Sequence, residues 1–329
     1  MPAGKIIKGV GGLYSVEERQ GGGVYLCSAR GIFRKDGIKP LAGDDVDFEI
    51  DALRAGYGSV RAIGARRSEL SRPPVSNVDQ MLIVLALSEP APDFLLADKL
   101  ILAALSSGIR PLICANKSDL PAAAGCAGER EGYERAGFLT VRASKSGASG
   151  YAPLLSALSG KVTILAGQSG VGKSTLLNGI AELSRAGAAG ADSARMAVGA
   201  ISRRIGRGRH TTRHVELVRL AGDGGGYAVD SPGFSALEIC AGAWGFRELD
   251  ALYPEFLPYI GRCRFAGCSH IHEPGCAVLE ALGAGSLHAG RHGRYAAFYA
   301  ALKQAGDRKY AKKRRPRAGG PPNANNNQA

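Results

Sequence analysis

No long hydrophobic run exists in this 329-residue chain. The longest aliphatic run, Met81-Leu-Ile-Val-Leu-Ala-Leu87, has seven residues, and the longest with aromatics counted, Tyr295 to Leu302, has eight, where a membrane-spanning helix needs about 20. Residues 1–30 hold no apolar core of signal-peptide length between a basic start and a small-residue cleavage site. A cytoplasmic protein with no membrane partner is expected. The cysteines give no basis for a disulfide framework either. They number seven, an odd count, and Cys27, Cys114, Cys126 and Cys240 stand alone in mostly apolar or Gly/Ala-rich surroundings. Only Cys263, Cys268 and Cys276 cluster, which suggests a metal site.

Acidic charge is the other shortage. Against 42 Lys+Arg there are 29 Asp+Glu, a formal net charge of +13 with a sequence pI near 9.6. A hydrophobic content of 45% excludes wholesale disorder, and at roughly 100–200 residues per domain the length fits two or three units. Two stretches hold formally the whole excess. Arg308 to Arg317 carries seven cations and no acid, and Arg195 to Arg219 carries seven Arg against Glu216 alone. One such run is as easily a solvated face. Two favour a polyanionic partner, and nucleic acid or ribonucleoprotein over a membrane because neither run is amphipathic.

The texture of the chain changes twice. Up to residue 72, short alternating segments (5–10, 24–27, 45–50, 59–63) are split by Gly-rich turns, the pattern of a small β-barrel. Beyond Arg72-Pro73-Pro74, strand-length apolar runs alternate with helical periodicity: 81–87, 111–115, 138–142, 162–166, 215–220 and 227–229 as strands, with helices at 94–105, 152–158 and 173–183 among the segments between them. That alternation predicts a mainly parallel sheet covered on both faces. After about Phe234, helices are expected at 246–252, 276–282 and 294–303. The Gly/Pro/Asn-rich end gives little prospect of packing.

Gly167-Gln168-Ser169-Gly170-Val171-Gly172-Lys173-Ser174, followed by Thr175, matches a phosphate-binding loop between a predicted strand and a predicted helix. Glycines let backbone amides turn toward a β-phosphate. Lys173 can reach the β and γ oxygens, and the Ser174 hydroxyl can ligate magnesium. Asn116-Lys117-Ser118-Asp119 follows another buried strand, where the Asp119 carboxylate can accept from guanine N1–H and the exocyclic amine. Adenine offers neither donor there, and an unpaired buried acceptor costs about 1–3 kcal/mol. Ser144 and Lys145, after the next strand, fit a loop whose amides contact the guanine oxygen. Asp230-Ser-Pro-Gly233 ends strand 227–229; Asp230 would hold magnesium through water and the Gly233 amide would sense a γ-phosphate. Thr211 and Thr212 compete for the switch threonine on magnesium, with Thr212 preferred. Phe234, where a water-orienting Gln is common, cannot orient water. His210 is the internal candidate for that role, equally readable as a phosphate or RNA contact.

The order of these motifs is unusual. The base motif at 116–119 precedes the phosphate loop at 167–174, so the GTPase domain is circularly permuted, with its cut after the second switch. Farther on, Cys263-x4-Cys268-x-His270-x5-Cys276 offers three thiolates and an imidazole, enough for a closed structural zinc site, with His272 as rival nitrogen ligand.

Taken together, Asn116–Asp119, Gly167–Ser174, Gly208-Arg-His-Thr-Thr212, Asp230–Gly233 and the Cys263–Cys276 cluster, in this order, resemble the ribosome small-subunit-dependent GTPase A family (RsgA, also called YjeQ) over roughly residues 5–305. The resemblance implies an OB-fold barrel at 1–72 that binds the small ribosomal subunit and a permuted α/β P-loop GTPase domain at 73–236. It implies a helical zinc-binding domain at 237–306 and leaves 307–329 as a basic disordered tail. It implies hydrolysis of GTP to GDP stimulated by that subunit during its late maturation and a catalytic role for His210; contact with rRNA and a monomeric state are expected besides. The departures are the Gly/Ala-rich 186–200, the turn Gly222–Gly226 and the Asn-rich end. Two rival readings are an RNA-binding checkpoint that uses GTP as a conformational ligand, and a P-loop ATPase or kinase, which Asp119 disfavours.

Overall fold

The structure is a computed structural model that describes residues 1–29, 31, 33, 37–121, 123, 126–145, 150–187, 215–220, 225–230 and 245–314. Five strands come first: β1 (Ala3–Val10), β2 (Leu13–Glu18), β3 (Val24–Ala29), β4 (Asp45–Ile50) and β5 (Tyr57–Ile63). They are joined in the order β1-β2-β3-β5-β4, and β4 returns to pair with β1. Every neighbouring pair is antiparallel except β3 with β5. This is a closed, OB-like barrel, and closure leaves no free edge. Ile6, Val16, Cys27, Phe48 and Val60 fill it, all fully buried. Sequence pattern missed β2. Its Leu-Tyr-Ser-Val-Glu-Glu has no clean apolar alternation, and it is pairing on both sides that makes it a strand.

A small hairpin follows, β6 (Glu69–Ser71) and β7 (Pro74–Ser76). The boundary expected at 72–73 falls in its turn. Leu70 and Val75 of the hairpin pack in one cluster with Met81 and Ile83 of the next strand.

That strand, β8 (Gln80–Ala86), starts the large sheet, joined by β9 (Arg110–Asn116), β10 (Leu139–Arg142), β11 (Val162–Ala166), β12 (Glu216–Arg219) and β13 (Tyr227–Asp230). The order is β10-β9-β8-β11-β13-β12, and only β12 is antiparallel to its neighbour in this set. Helices α1 (Phe94–Ser106), α2 (Ala127–Arg135), α3 (Ala152–Leu158) and α4 (Lys173–Gly187) accompany it. The Asp93 side chain caps α1, accepting from Leu96 N at 2.8 Å. Strand β8 is buried along its whole length, and its side chains alternate between two cores. Met81, Ile83 and Leu85 meet Leu100 and Ile101 of α1, while Leu82 and Val84 share a cluster with Leu154 of α3 and Leu176 and Ile180 of α4. The permuted order is visible in the sheet: strand β11, which leads into the phosphate loop, comes after β9, which ends on the base motif, and lies beside β8 with Leu82 opposite Leu165.

In the C-terminal region a single 3-10 turn at Asp250–Leu252 stands where a helix over 246–252 is expected. Pro254 disfavours helical backbone at the preceding residue, and Tyr253 is extended (φ −106°, ψ 95°). After α5 (Ala277–Gly283), helix α6 runs Ala289–Arg314. It outlasts the expected 294–303 and takes in the first residues assigned to a disordered tail from 307. No Gly or Pro lies between Asp307 and Arg314 to interrupt the helix. Residues 315–329 lie outside those described. No helix among the described residues is long and apolar enough to cross a membrane.

Candidate nucleotide site and metal centre

Among the described residues, those singled out for nucleotide chemistry lie at the C-terminal ends of the parallel strands of the large sheet, where open α/β sheets bind ligands. Loop 167–172 leaves β11 and enters α4 at Lys173. Its glycines are required by space as well as by angle. A Cβ on Gly167 (φ +139°) would stand 2.3 Å from the Val84 carbonyl oxygen, and one on Gly172 (φ +92°) 2.7 Å from Asn116 Nδ2. Lys173 Nζ is folded over the loop, donating to the Gly167 and Gln168 carbonyls at 2.7 Å each. Burial lowers its pKa. Ser174 and Thr175 are exposed in the first turn of α4, the positive end of that helix.

The base motif is locked to this loop. Asn116, at the end of β9 and buried, donates from Nδ2 to the Val171 carbonyl at 2.8 Å, 55 residues away in sequence. Lys117 (φ +56°) donates from Nζ to the Gly170 carbonyl at 3.2 Å and to the Glu89 carbonyl. Ser118 N bonds the Ala143 oxygen at 3.1 Å, and Ala143 N the Ala115 oxygen at 2.9 Å, which fastens the Ser144-Lys145 loop beside the motif. Ser144 is buried; Asp119 and Lys145 are exposed. Asp230 ends β13, next to β11 in the sheet.

Two contributors have no sequence signature. The Glu89-Pro90 segment supplies the carbonyl that Lys117 bonds, and Pro90 stands 3.7 Å from where a Cβ on Gly170 would be. Tyr151 fills the notch left by Gly179 of α4, whose Cβ would meet the ring at 2.2 Å. Burial and then the Asp119 carboxylate raise the Tyr151 hydroxyl above its ordinary pKa. His210, Thr211, Thr212, Gly233 and Phe234 lie outside the described residues.

The cysteine cluster also assembles. One donor atom from each of Cys263, Cys268, His270 and Cys276 lies within 4.8 Å of the others. His270 Nδ1 is 3.5 Å from Cys263 Sγ and 3.4 Å from Cys276 Sγ, and those two sulfurs are 3.9 Å apart. His270 takes a positive φ (+58°) to reach inward, whereas its rival His272 is exposed. The other ring nitrogen of His270 faces Asp250 Oδ2 at 3.4 Å, which fixes the imidazole's orientation. Burial, with the neighbouring thiols, pushes Cys268 up to about 12. Three sulfurs and an imidazole nitrogen gathered at ligand spacing are a donor set that fits a metal ion. Behind it, Glu273 accepts from Ser269 N (2.8 Å), Ile271 N (3.1 Å), His272 N (3.2 Å) and the Ser269 hydroxyl. Burial raises this carboxyl, but these bonds outweigh it and hold Glu273 well below the usual carboxylate range.

Comparison with known proteins agrees with this geometry. The sequence model of the RsgA GTPase matches residues 63–240, and that of the RsgA N-terminal domain residues 3–57. The chain belongs to the RsgA GTPase family. Its relatives include the small ribosomal subunit biogenesis GTPase RsgA of Ruminiclostridium cellulolyticum, 45% identical over 303 residues, which cover 92% of this chain and 94% of that one. The protein of the same name in Caldanaerobacter subterraneus is 38% identical over 307 residues, 93% of this chain and 98% of that one. Among solved structures, YloQ, described as a circularly permuted GTPase, superposes with a TM-score of 0.73 at 31% identity over 97% of both chains. YjeQ from Thermotoga maritima gives 0.74 at 29% identity over 92% of this chain and 98% of that one. This RsgA GTPase is thus a GTP hydrolase with a circularly permuted GTPase domain, an OB-like barrel before it and, after it, a Cys3His cluster that could hold a metal ion.

Proposed function

We propose that the chain is a GTPase that docks on the small ribosomal subunit, acts in its late maturation, and leaves after hydrolysis. The observation that carries this reading is the bond from Asn116 Nδ2 to the Val171 carbonyl, which sets a guanine-type motif against a phosphate loop in a permuted sheet. In this reading Gly167–Thr175 receive the phosphates and Lys173 exchanges its two carbonyl partners for β and γ oxygens. The Asp119 carboxylate accepts from guanine N1–H and the exocyclic amine, and the Ser144 and Lys145 amides donate to the guanine oxygen. Ser174 and Thr212 would hold magnesium, with Asp230 behind a water; the ion offsets charge on the phosphates. The Gly233 amide senses the γ-phosphate. His210 orients the attacking water, because Phe234 cannot.

Cys263, Cys268, His270 and Cys276 would hold zinc. Zinc–sulfur bonds near 2.3 Å and zinc–nitrogen bonds near 2.0–2.1 Å set tetrahedral donor separations of about 3.5–3.8 Å, and the separations given above lie close to these. With four protein ligands the ion has a structural role. The division we propose is a barrel to residue 72, the GTPase domain at 73–236 and the metal domain at 237–306, with α6 running on across that last boundary into the basic tail from 307. The protein works as a cytoplasmic monomer, and its two cationic stretches meet rRNA.

Turnover of GTP and of ATP, with and without purified small subunits and at two salt concentrations, tests the reading. Slow hydrolysis of GTP alone and a large, salt-sensitive rise with subunits are expected. Equal turnover with and without subunits sinks it. The checkpoint reading, which Phe234 favours, wins instead if His210→Ala stops hydrolysis while release from the subunit stays normal.

A further inference from the structure

The barrel and the large sheet are one continuous hydrogen-bonded system. Strand β1 lies antiparallel to β12, with Lys8 opposite Glu216, and Lys8 Nζ donates to Glu216 Oε2 at 2.8 Å. In the same seam Glu17 of β2, 8% exposed, divides its carboxylate between two partners. Oε1 accepts from Arg219 Nη1 at 2.5 Å, and Oε2 accepts from the Tyr227 hydroxyl at 2.7 Å. Arg219 and Tyr227 face each other across the β12–β13 ladder, and Glu216 faces Asp230 at its other end. A hairpin of two four-residue strands is therefore held at both ends by barrel side chains.

This hairpin matters to the nucleotide site. Its strand β13 is paired to β11, which runs into loop 167–172, and it ends on Asp230. In sequence it connects the segment bearing His210 and Thr212 to Asp230–Gly233. A paired two-stranded ladder moves as a unit, so displacement at Asp230 is felt at Arg219 and Tyr227. The Glu17 bonds resist being stretched. The Glu17 carboxylate is shielded from water and shared between a guanidinium and a hydroxyl, a charge-assisted arrangement, although the Arg219 side chain itself is 55% exposed. Burial and then Glu17 raise the Tyr227 hydroxyl above its ordinary pKa, and Glu17 raises Arg219.

We infer that Glu17 is a positioning residue that couples the barrel to the β12–β13 hairpin, so that a partner seated on the barrel and the nucleotide at loop 167–174 bias one another through it. The inference rests on the proposed reading for the identity of that partner and not for the coupling itself. Coupling of this kind is reciprocal. What the nucleotide does to the barrel, a ligand on the barrel does to the nucleotide.

Hydrogen exchange on the full chain tests the coupling without a ribosome. Wild type, Glu17→Gln and Tyr227→Phe are compared with GDP and with a non-hydrolysable GTP analogue, each with magnesium. In wild type, exchange in peptides of β1 and β2 should differ between the two nucleotides. In Glu17→Gln that difference should vanish while the difference at 167–174 persists. Tyr227→Phe, which removes one hydroxyl and preserves the ring, should show a reduced difference and decides the matter if Glu17→Gln folds poorly. No nucleotide-dependent difference in the wild-type barrel, or an undiminished one in both variants, overturns the inference. With small subunits, the ratio of stimulated to intrinsic turnover should fall in Glu17→Gln. A purely structural role would lower both rates together and leave the ratio, which also counts against it. If subunits fail to stimulate the wild type, the proposed function falls, and the exchange comparison still decides the coupling.

Discussion

Arg291 and Asp98, 193 residues apart in sequence, pair at 2.7 Å in the interior, with side chains only 2% and 1% exposed. Asp98 also accepts from Arg294 Nε at 2.5 Å, and Glu255 accepts from Arg291 Nε at 2.5 Å. Arg294 turns its two remaining nitrogens to Glu129 of α2. The rings of Tyr133, Phe138 and Tyr253 each lie 5.2 Å from the Arg291 guanidinium carbon. The network joins α6, which packs on the metal region, to α1 and α2 of the GTPase sheet.

Breaking this pair from one side leaves the buried Arg291 guanidinium with Glu255 and Arg294 with Glu129. Asp98→Ala should therefore cost less than the roughly 3–5 kcal/mol of a fully orphaned buried charge but still more than about 1 kcal/mol, read as a fall in the urea unfolding midpoint. Asp98→Asn retains an acceptor oxygen and should cost less. An unchanged midpoint for Asp98→Ala contradicts the role given to the pair.

The interlocked loops predict a separation of nucleotide affinity from specificity. Lys173→Ala should abolish detectable turnover, since nothing else in the loop replaces a cation on the phosphates. Asp119→Asn should weaken GTP and favour xanthosine triphosphate, whose ring edge suits an amide. Competition binding with GTP, ATP and xanthosine triphosphate checks both; a variant that still prefers GTP removes Asp119 from base recognition.

Metal content separates the two histidines. Cys276→Ser or His270→Ala should lose bound metal in elemental analysis and lower the thermal midpoint, and a strong chelator should do the same to wild type. His272→Ala should change neither, because His272 faces solvent.

Burial pushes the Cys114 thiol, at the centre of β9, up to about 12 from an ordinary value of 9.0. A folded pKa above the unfolded one means that the neutral thiol stabilises the fold fully below about pH 9 and loses that contribution as pH rises toward 12. Cys114 should therefore resist alkylation in the native protein at pH 8 and react once it unfolds. Cys114→Ala should flatten the loss of stability above pH 9. Rapid native-state labelling at Cys114, mapped by mass spectrometry, is the contrary result.

The sequence by itself determined the chemistry. Phosphate, guanine and metal each demand particular atoms at short spacings, so Gly167–Ser174, Asn116–Asp119 and Cys263–Cys276 were legible from local pattern, as was the permuted order. Strand β8 was legible because it is apolar throughout. Strand β2 and the hairpin β6–β7 were not, since tertiary pairing makes them strands. The sequence preferred His270 and left His272 as a rival, and the tertiary structure gathers His270, at a positive φ, with the three thiols while His272 stays exposed. The long-range links were decided there too. Glu17 meets Arg219 across 202 residues, and Asp98 meets Arg291 across 193. A charge leaves no periodic trace of a partner so far away, and its burial is known only once the surrounding strands and helices have closed over it.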